Sequence, residues 1–157
     1  MEKHFGQLTE NIITKEDLVS LIEDINTVQN LIFKNIDKPL SEKSENRISN
    51  NLQAGIEQLE KEGVIAKDAE KNRHFFDKFK QYLQTLPQFK ITIAFKAKKD
   101  FVDKLSALLQ KEAKQKVILD LTYKPEIIGG AIIEYQNKRI NLSLARKAKE
   151  IISQKQL

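Results

Sequence analysis

Phe89-Lys90-Ile91-Thr92-Ile93-Ala94-Phe95 alternates apolar and polar side chains. Successive side chains on a strand point to opposite faces, so this stretch reads as a strand with one buried face. Before it the chain repeats differently. Leu18, Leu21, Ile25, Val28 and Ile32 form one apolar stripe at helical spacing, which predicts a helix of about five turns. Thr14 stands before Glu16 and Asp17 as a helix start, and Asp37-Lys38-Pro39 is a stop. A second helix is expected over 41–62, with Ile48, Leu52, Ile56 and Leu59 buried and Gly63 as its C-terminal cap. A third is expected over 67–86, with Phe76, Phe79, Leu83 and Leu86 on one side, Phe75 and Tyr82 beside them, and Pro87 ending it. Residues 1–13 have no strong period and read as a loose arm or a short extra helix.

Beyond Phe95 the period switches again. Residues 98–112 read as a helix with Phe101, Leu105, Leu108 and Leu109 on one face. Val117-Ile118-Leu119-Asp120-Leu121-Thr122-Tyr123 alternates, with its odd positions apolar. Lys124-Pro125-Glu126 is a break, and Ile127-Ile128-Gly129-Gly130 leads into a strand over 131–135. Gln136-Asn137-Lys138 has turn chemistry, residues 139–141 form a short strand, and 142–152 a final helix. The expected fold is α+β: an antiparallel helical bundle of three or four helices over 1–88, then a small β-α-β-β-β-α domain over 89–157 with its helices on one face of the sheet.

The chain has 157 residues and no cysteine, which excludes disulfides, thiolate metal sites and cysteine nucleophiles. With only His4 and His74, a histidine-based metal site is not expected. The longest uncharged apolar run, 127–133, is far short of the roughly 20 residues a membrane helix needs. The start, MEKHFGQLTE, has no apolar core of a secretory signal, so an intracellular soluble protein is expected. Residues 1–88 carry 12 Lys and Arg against 15 Asp and Glu, whereas residues 89–157 carry 15 against 7. The basic half could meet an acidic partner. Lysines greatly outnumber arginines, which weakens a nucleic-acid reading, because arginine is the better fork for phosphate and guanine.

The stretch KPEIIGGAIIEYQNKRINLSLARKAKEII, residues 124–152, resembles the C-terminal signature of the delta subunit of F-type ATP synthases. The mitochondrial counterpart is the oligomycin-sensitivity-conferring protein. That family carries an Asp-Pro-x-Leu-Ile-Gly-Gly turn, an alternating strand, a hairpin turn, and an Asp-x-Ser step into a basic last helix. Pro125, Ile128, Gly129 and Gly130 fall on the turn, Asn137-Lys138 on the hairpin, and Asn141 and Ser143 on the step, with Arg146 at a basic position. Lys124 and Asn141 replace the family's two aspartates. QKVILDLTY and KITIAFKAKKDFVDKLSALLQKE resemble the preceding elements, so the likeness covers about 89–154. The family's helical domain has six helices in about 105 residues, and this one is shorter.

The resemblance implies a peripheral-stalk protein with no catalytic residue, no cofactor and no metal. The implied partners are the N-terminal helices of the alpha subunits, held by the helical half, and the C-terminal helix of the b subunit, held by the basic half. No nucleic acid is implied, and the membrane is met only through the complex, at the cytoplasmic face of the inner membrane. Leu18, Leu21, Ile25, Val28 and Ile32, together with Phe76, Phe79 and Leu83, are then candidate helix-docking positions, although the same spacing also describes core. Lys147 and Lys149 are candidates for an acidic b-subunit helix. The residues fit the turn independently. Paired glycines after Pro125 permit left-handed backbone that a β-branched isoleucine resists, and Ser143 is placed to cap the last helix.

Two other classes share parts of this pattern. An unrelated protein-interaction module shares the architecture. A KH-type RNA-binding module also mixes three helices and three strands, but its glycine spacing and helix–helix loop differ from Gly129-Gly130. An enzyme finds few candidates. Asp100 with Asp103, and Glu16 with Asp17, read as caps and solvated charges rather than acid–base pairs. His74 reads as half-buried and structural. Ser143 lacks a nucleophile-elbow context, and Gly129-Gly130 lacks the Gly-Lys-Thr/Ser ending of a phosphate loop.

Overall fold

The computed structural model describes residues 2–141. The expected last helix, with Ser143, Lys147 and Lys149, lies outside them. Contacts divide the chain into two compact units, one of residues 1–12 and 16–86, the other of residues 13–15 and 87–157.

The first unit is helical: α1 (Glu2–Leu8), α2 (Lys15–Ile32), α3 (Leu40–Ser44), α4 (Asn50–Lys61) and α5 (Ala69–Thr85). Five helices therefore stand where three or four were expected. One is α1, which owes its place to an aromatic anchor. Phe5 is buried, and its ring lies 5.4 Å from Phe75 and 5.1 Å from Phe79. Leu8 seats on Gly55 of α4, where even a Cβ would stand 2.3 Å from it.

The other addition comes from the stretch expected as one helix, which breaks over 45–49. Glu45 is extended and Asn46 has φ 58°, a geometry asparagine tolerates better than most residues. Ser49 then restarts the helix, its Oγ accepting from the Leu52 amide. Ile48 falls in the break instead of on the helical stripe. The sequence SEKSENRIS competes with helix through its serines and asparagine, which bond the local backbone.

Polar contacts give the sense of packing. Lys80 of α5 donates to Asn26 of α2 at 2.8 Å, and Gln29 of α2 donates to Asp77 of α5 at 2.8 Å. Numbers rise along one helix as they fall along the other, so α2 and α5 run antiparallel. The α2 stripe is buried along its whole length, and Phe76, Phe79, Leu83 and Ile56 have no exposed surface. The end of α4 follows from Gly63 at φ 70°. The Val64 amide reaches back to the Leu59 carbonyl and the Gly63 amide to that of Glu60, a Schellman closure. Asp68 caps α5 by accepting from the Lys71 amide at 3.0 Å.

The second unit is a four-stranded sheet with one helix described against it. β1 (Gln88–Ile93) and β2 (Ile118–Tyr123) pair in parallel, joined through α6 (Lys99–Ala113). β3 (Ala131–Tyr135) pairs antiparallel with β1, and β4 (Lys138–Asn141) antiparallel with β3, in the spatial order β2-β1-β3-β4. Parallel neighbours need such a crossover, whereas β3 and β4 need only a tight turn. Gln136 and Asn137 supply it with φ 47° and 63°, the positive pair of a two-residue hairpin turn. The mixed α+β class is thus as the alternation demanded.

Ile91, Ile93, Val117 and Leu119 form the core of this unit, with Val102, Leu105, Leu109 and Ala113 packed on it. The buried line of α6 is therefore rotated from the expected one. Phe101 and Leu108 are exposed, because Val102, Leu109 and Ala113 share Leu105's side of the helix. Residues 13–15 add a piece of backbone to the outer edge of β2. The Leu119 amide donates to the Ile13 carbonyl at 2.9 Å, Thr14 bridges to Leu119 in parallel, and Lys15 meets Asp120 at 3.0 Å.

Candidate partner-binding surfaces

The eight apolar positions considered for docking lie inside the helical unit. Leu18, Leu21, Ile25, Val28 and Ile32 of α2 are buried, as are Phe76, Phe79 and Leu83 of α5. Burying such a side chain contributes about 1.5–3 kcal/mol, so these residues hold α2 and α5 in place. What the unit offers outward is a different set: Val19 on α2, and Phe33 and Ile36 just beyond it, all exposed. Phe33 and Ile36 lie past the regular stripe, where the helix has ended and Asn35 has turned left-handed at φ 46°. Helical spacing gave no signal there. The only signal was two large apolar residues in a run that the helix stop at Pro39 should have solvated.

The second unit exposes Phe95, Phe101 and Leu108. Phe95 and Phe101 meet edge-on with ring centroids 5.2 Å apart. Lys96, Lys98, Lys99 and Lys104 neighbour them in sequence, and Lys104 pairs with Asp100 at 2.9 Å. An exposed aromatic pair with lysines beside it in the chain suits an apolar partner surface with acidic flanks.

The glycine turn holds three left-handed residues in a row. Pro125 opens a 3-10 turn, Pro125–Ile127, after which Ile128 has φ 60°, Gly129 φ 115° and Gly130 φ 80°. The left-handed geometry thus begins one residue earlier than the paired glycines suggest, on the isoleucine itself. Ile128 is 68% exposed. Asn141 ends β4 opposite Ile132. The turn leads from a 3-10 turn into β3, so it is not the helix–helix loop of a KH module.

No group of three His, Cys, Asp or Glu residues among the described ones is placed to hold a metal ion. His74 is exposed instead of half-buried, since it precedes the buried pair Phe75 and Phe76 on the outer side of α5. His4 Nδ1 lies 3.4 Å from a Glu62 carboxylate oxygen. No helix among the described residues is long and apolar enough to cross a membrane.

A helical unit and a mixed-sheet unit each present exposed large apolar side chains. Residues 1–154 match the family described as "OSCP: ATP synthase delta (OSCP) subunit". The chain belongs to that family, and it is a peripheral-stalk subunit of an F-type ATP synthase, working among that complex's other subunits in a peripheral position. The readings as an unrelated interaction module or an RNA-binding module give way to this one. No curated protein matches the chain. Among solved structures it is similar to a chain in "CryoEM structure of Polytomella F-ATP synthase, Primary rotary state 3, monomer-masked refinement". The identity is 21%, the match covers 44% of this chain and 89% of that one, and the TM-score is 0.38.

Proposed function

We propose that the chain is a non-catalytic brace between the catalytic head and the stalk of the synthase, and that it resists rotor torque while protons drive ATP synthesis. The helical half, 1–88, grips the N-terminal helices of the alpha subunits. The basic half, 89–157, grips the C-terminal helix of the b subunit. The complex holds it at the cytoplasmic face of the inner membrane. The family match across residues 1–154 carries this reading. The buried α2 and α5 lines, Leu18 to Ile32 and Phe76 to Leu83, support it as the framework under a docking face whose contacts are Val19, Phe33 and Ile36. The excess of Lys and Arg over 89–157 supports an acidic partner there, with Lys147 and Lys149 among the contacts.

Affinity capture from native membranes tests the whole reading: alpha, beta and b subunits should come with the chain, and recovery of the chain alone would defeat it. A peptide of the alpha N-terminus should raise the melting midpoint, because a ligand preferring the folded state stabilises it. Charge reversal at Lys147 and Lys149 should weaken a b-subunit peptide, and unchanged binding would remove those two residues from the interface.

A further inference from the structure

A cleft of about 230 Å³ opens in the helical unit between the end of α2, α3 and the start of α5. Its walls are mainly apolar, with Lys38, Lys43, Glu60, Lys67 and Asn72 among them. Ile32, Leu40 and Ile65 are buried beneath it, Ala66 and Ala69 form the far side, and exposed Ile36 stands at the mouth. Such a volume exceeds the roughly 150 Å³ that accepts a benzene ring and falls below the roughly 300–1,000 Å³ of pockets for drug-sized molecules. It suits a medium aliphatic chain or one ring with a short tail.

The polar groups in the lining are mostly closed off. Asn72 is buried and turns both ends of its amide onto Ala66, donating to its carbonyl at 2.7 Å and accepting from its amide at 3.2 Å. Glu60 accepts from the Ser41 amide through one oxygen and from the Ser41 hydroxyl through the other. Lys38 is engaged with Glu42. Lys43 is the exception. Its ammonium has three donors, and one goes to the Ile32 carbonyl at 2.9 Å. Desolvation holds its pKa below the ordinary lysine value, with Glu60 opposing the shift. Lys67 adds a second cation to the lining.

We propose that this cleft is a binding site for a small apolar monocarboxylate, whose chain lies against Ile32, Ile65 and Ala69 and whose carboxylate accepts from Lys43. The chemistry decides the class. A neutral apolar ligand would leave the ammonium's remaining donors to water, and a cation would meet Lys38, Lys43 and Lys67 against the single carboxylate of Glu60, both of whose oxygens already accept from Ser41. An anion with an apolar tail satisfies both halves of the site. Only Ile36 at the mouth is shared with the proposed docking face; Lys43, Ile65, Ala66 and Ala69 are not part of it.

The test is titration of the full-length protein with sodium octanoate, followed by amide chemical shifts. Saturable shifts should appear at Leu40, Lys43 and Ala66. Lys43→Met should weaken binding about tenfold or more, the expected loss for a charge-assisted hydrogen bond. Octan-1-ol, with the same chain and no charge, should bind more weakly than octanoate. Ala69→Leu narrows the far wall without touching the ammonium, and should also weaken binding if Lys43→Met proves too unstable to use. Absence of saturable shifts, equal affinity in both variants, or equal binding of the alcohol would overturn the proposal.

Discussion

Ile128 is the residue at which local chemistry and local geometry disagree. A β-branched side chain in left-handed backbone crowds the following carbonyl, at a cost of about 1–2 kcal/mol. At 68% exposure the side chain regains little of that by burial. Replacing it by glycine removes the clash and adds some unfolded-chain entropy, so Ile128→Gly should gain up to about 1 kcal/mol in denaturant unfolding. A measured loss would show that the side chain packs more than its exposure allows. Ala at Gly129 or Gly130 should move stability the other way. Strained, exposed apolar residues tend to be kept for contact with something, so the same Ile128→Gly variant should bind stalk partners less well while being the more stable protein. Asp68 makes a second residue-scale case. The Lys71 amide holds its carboxylate below the ordinary aspartate range. A depressed folded-state pKa contributes stability above the unfolded value and loses it as pH falls through the folded one. The melting midpoint of Asp68→Asn should therefore lie below wild type at neutral pH, and the gap should close in acid below the ordinary aspartate pKa. A gap that persists there would mean the cap works without its charge.

At the scale of elements, most of the fold could be read from spacing, and the exceptions have separable causes. The α2 stripe and the alternating strands are regular signals repeated over several residues, so each survives local noise, and the Gly63 cap is legible because glycine is favoured in the left-handed C-terminal position. The break over 45–49 rests on a few serines and an asparagine, whose preference for local backbone bonds is worth too little per residue to outvote a helical pattern on paper. α1 has seven residues, too few to show a period, and it is fixed by the Phe5 stack and by Leu8 against Gly55. The docking question was ambiguous for a deeper reason. A helix stripe looks the same in sequence whether it is buried by its own unit or by a partner, and only packing shows that Leu18 to Ile32 are interior. That distinction is testable. Phe79→Ala should cost about 3–5 kcal/mol, a large share of the roughly 5–15 kcal/mol of a typical domain, and should lose alpha-peptide binding by unfolding. Phe33→Ala should change stability by less than about 0.5 kcal/mol, yet weaken the peptide. If Phe33→Ala binds as wild type does, the docking face lies elsewhere on the helical unit. Ser49→Ala, which removes the cap of α4, should cost about 1 kcal/mol with binding intact.

For the whole molecule, the change of period near residue 88 divides the chain into a helical part and a sheet part, but the division in space is not a single cut. Residues 13–15, the end of the link after α1 and the first residue of α2, belong to the second unit, where they lie along the edge of β2. No pattern announces this. Three residues carry no period, and an edge pairing so far apart in sequence leaves no local trace. The consequence is physical. An unpaired edge exposes backbone donors and acceptors, and these three residues cover part of the β2 edge from a point some hundred positions earlier. A fragment of residues 87–157 would therefore lack part of its own sheet. In the full chain the Leu119 amide donates to Ile13 and should exchange with solvent slowly. In the fragment that amide should exchange much faster, while the Ile118 amide, held by Pro87 within the fragment, should keep more of its protection. Adding a peptide of residues 10–17 should restore part of the difference at Leu119. Lys15→Ala in the full chain should do less harm than deleting residues 13–15, because the Lys15–Asp120 pair is partly solvated and such pairs contribute about 0–1 kcal/mol. Equal exchange at Leu119 in chain and fragment would mean that the edge is protected by the sheet unit alone, and that the early residues only rest against it.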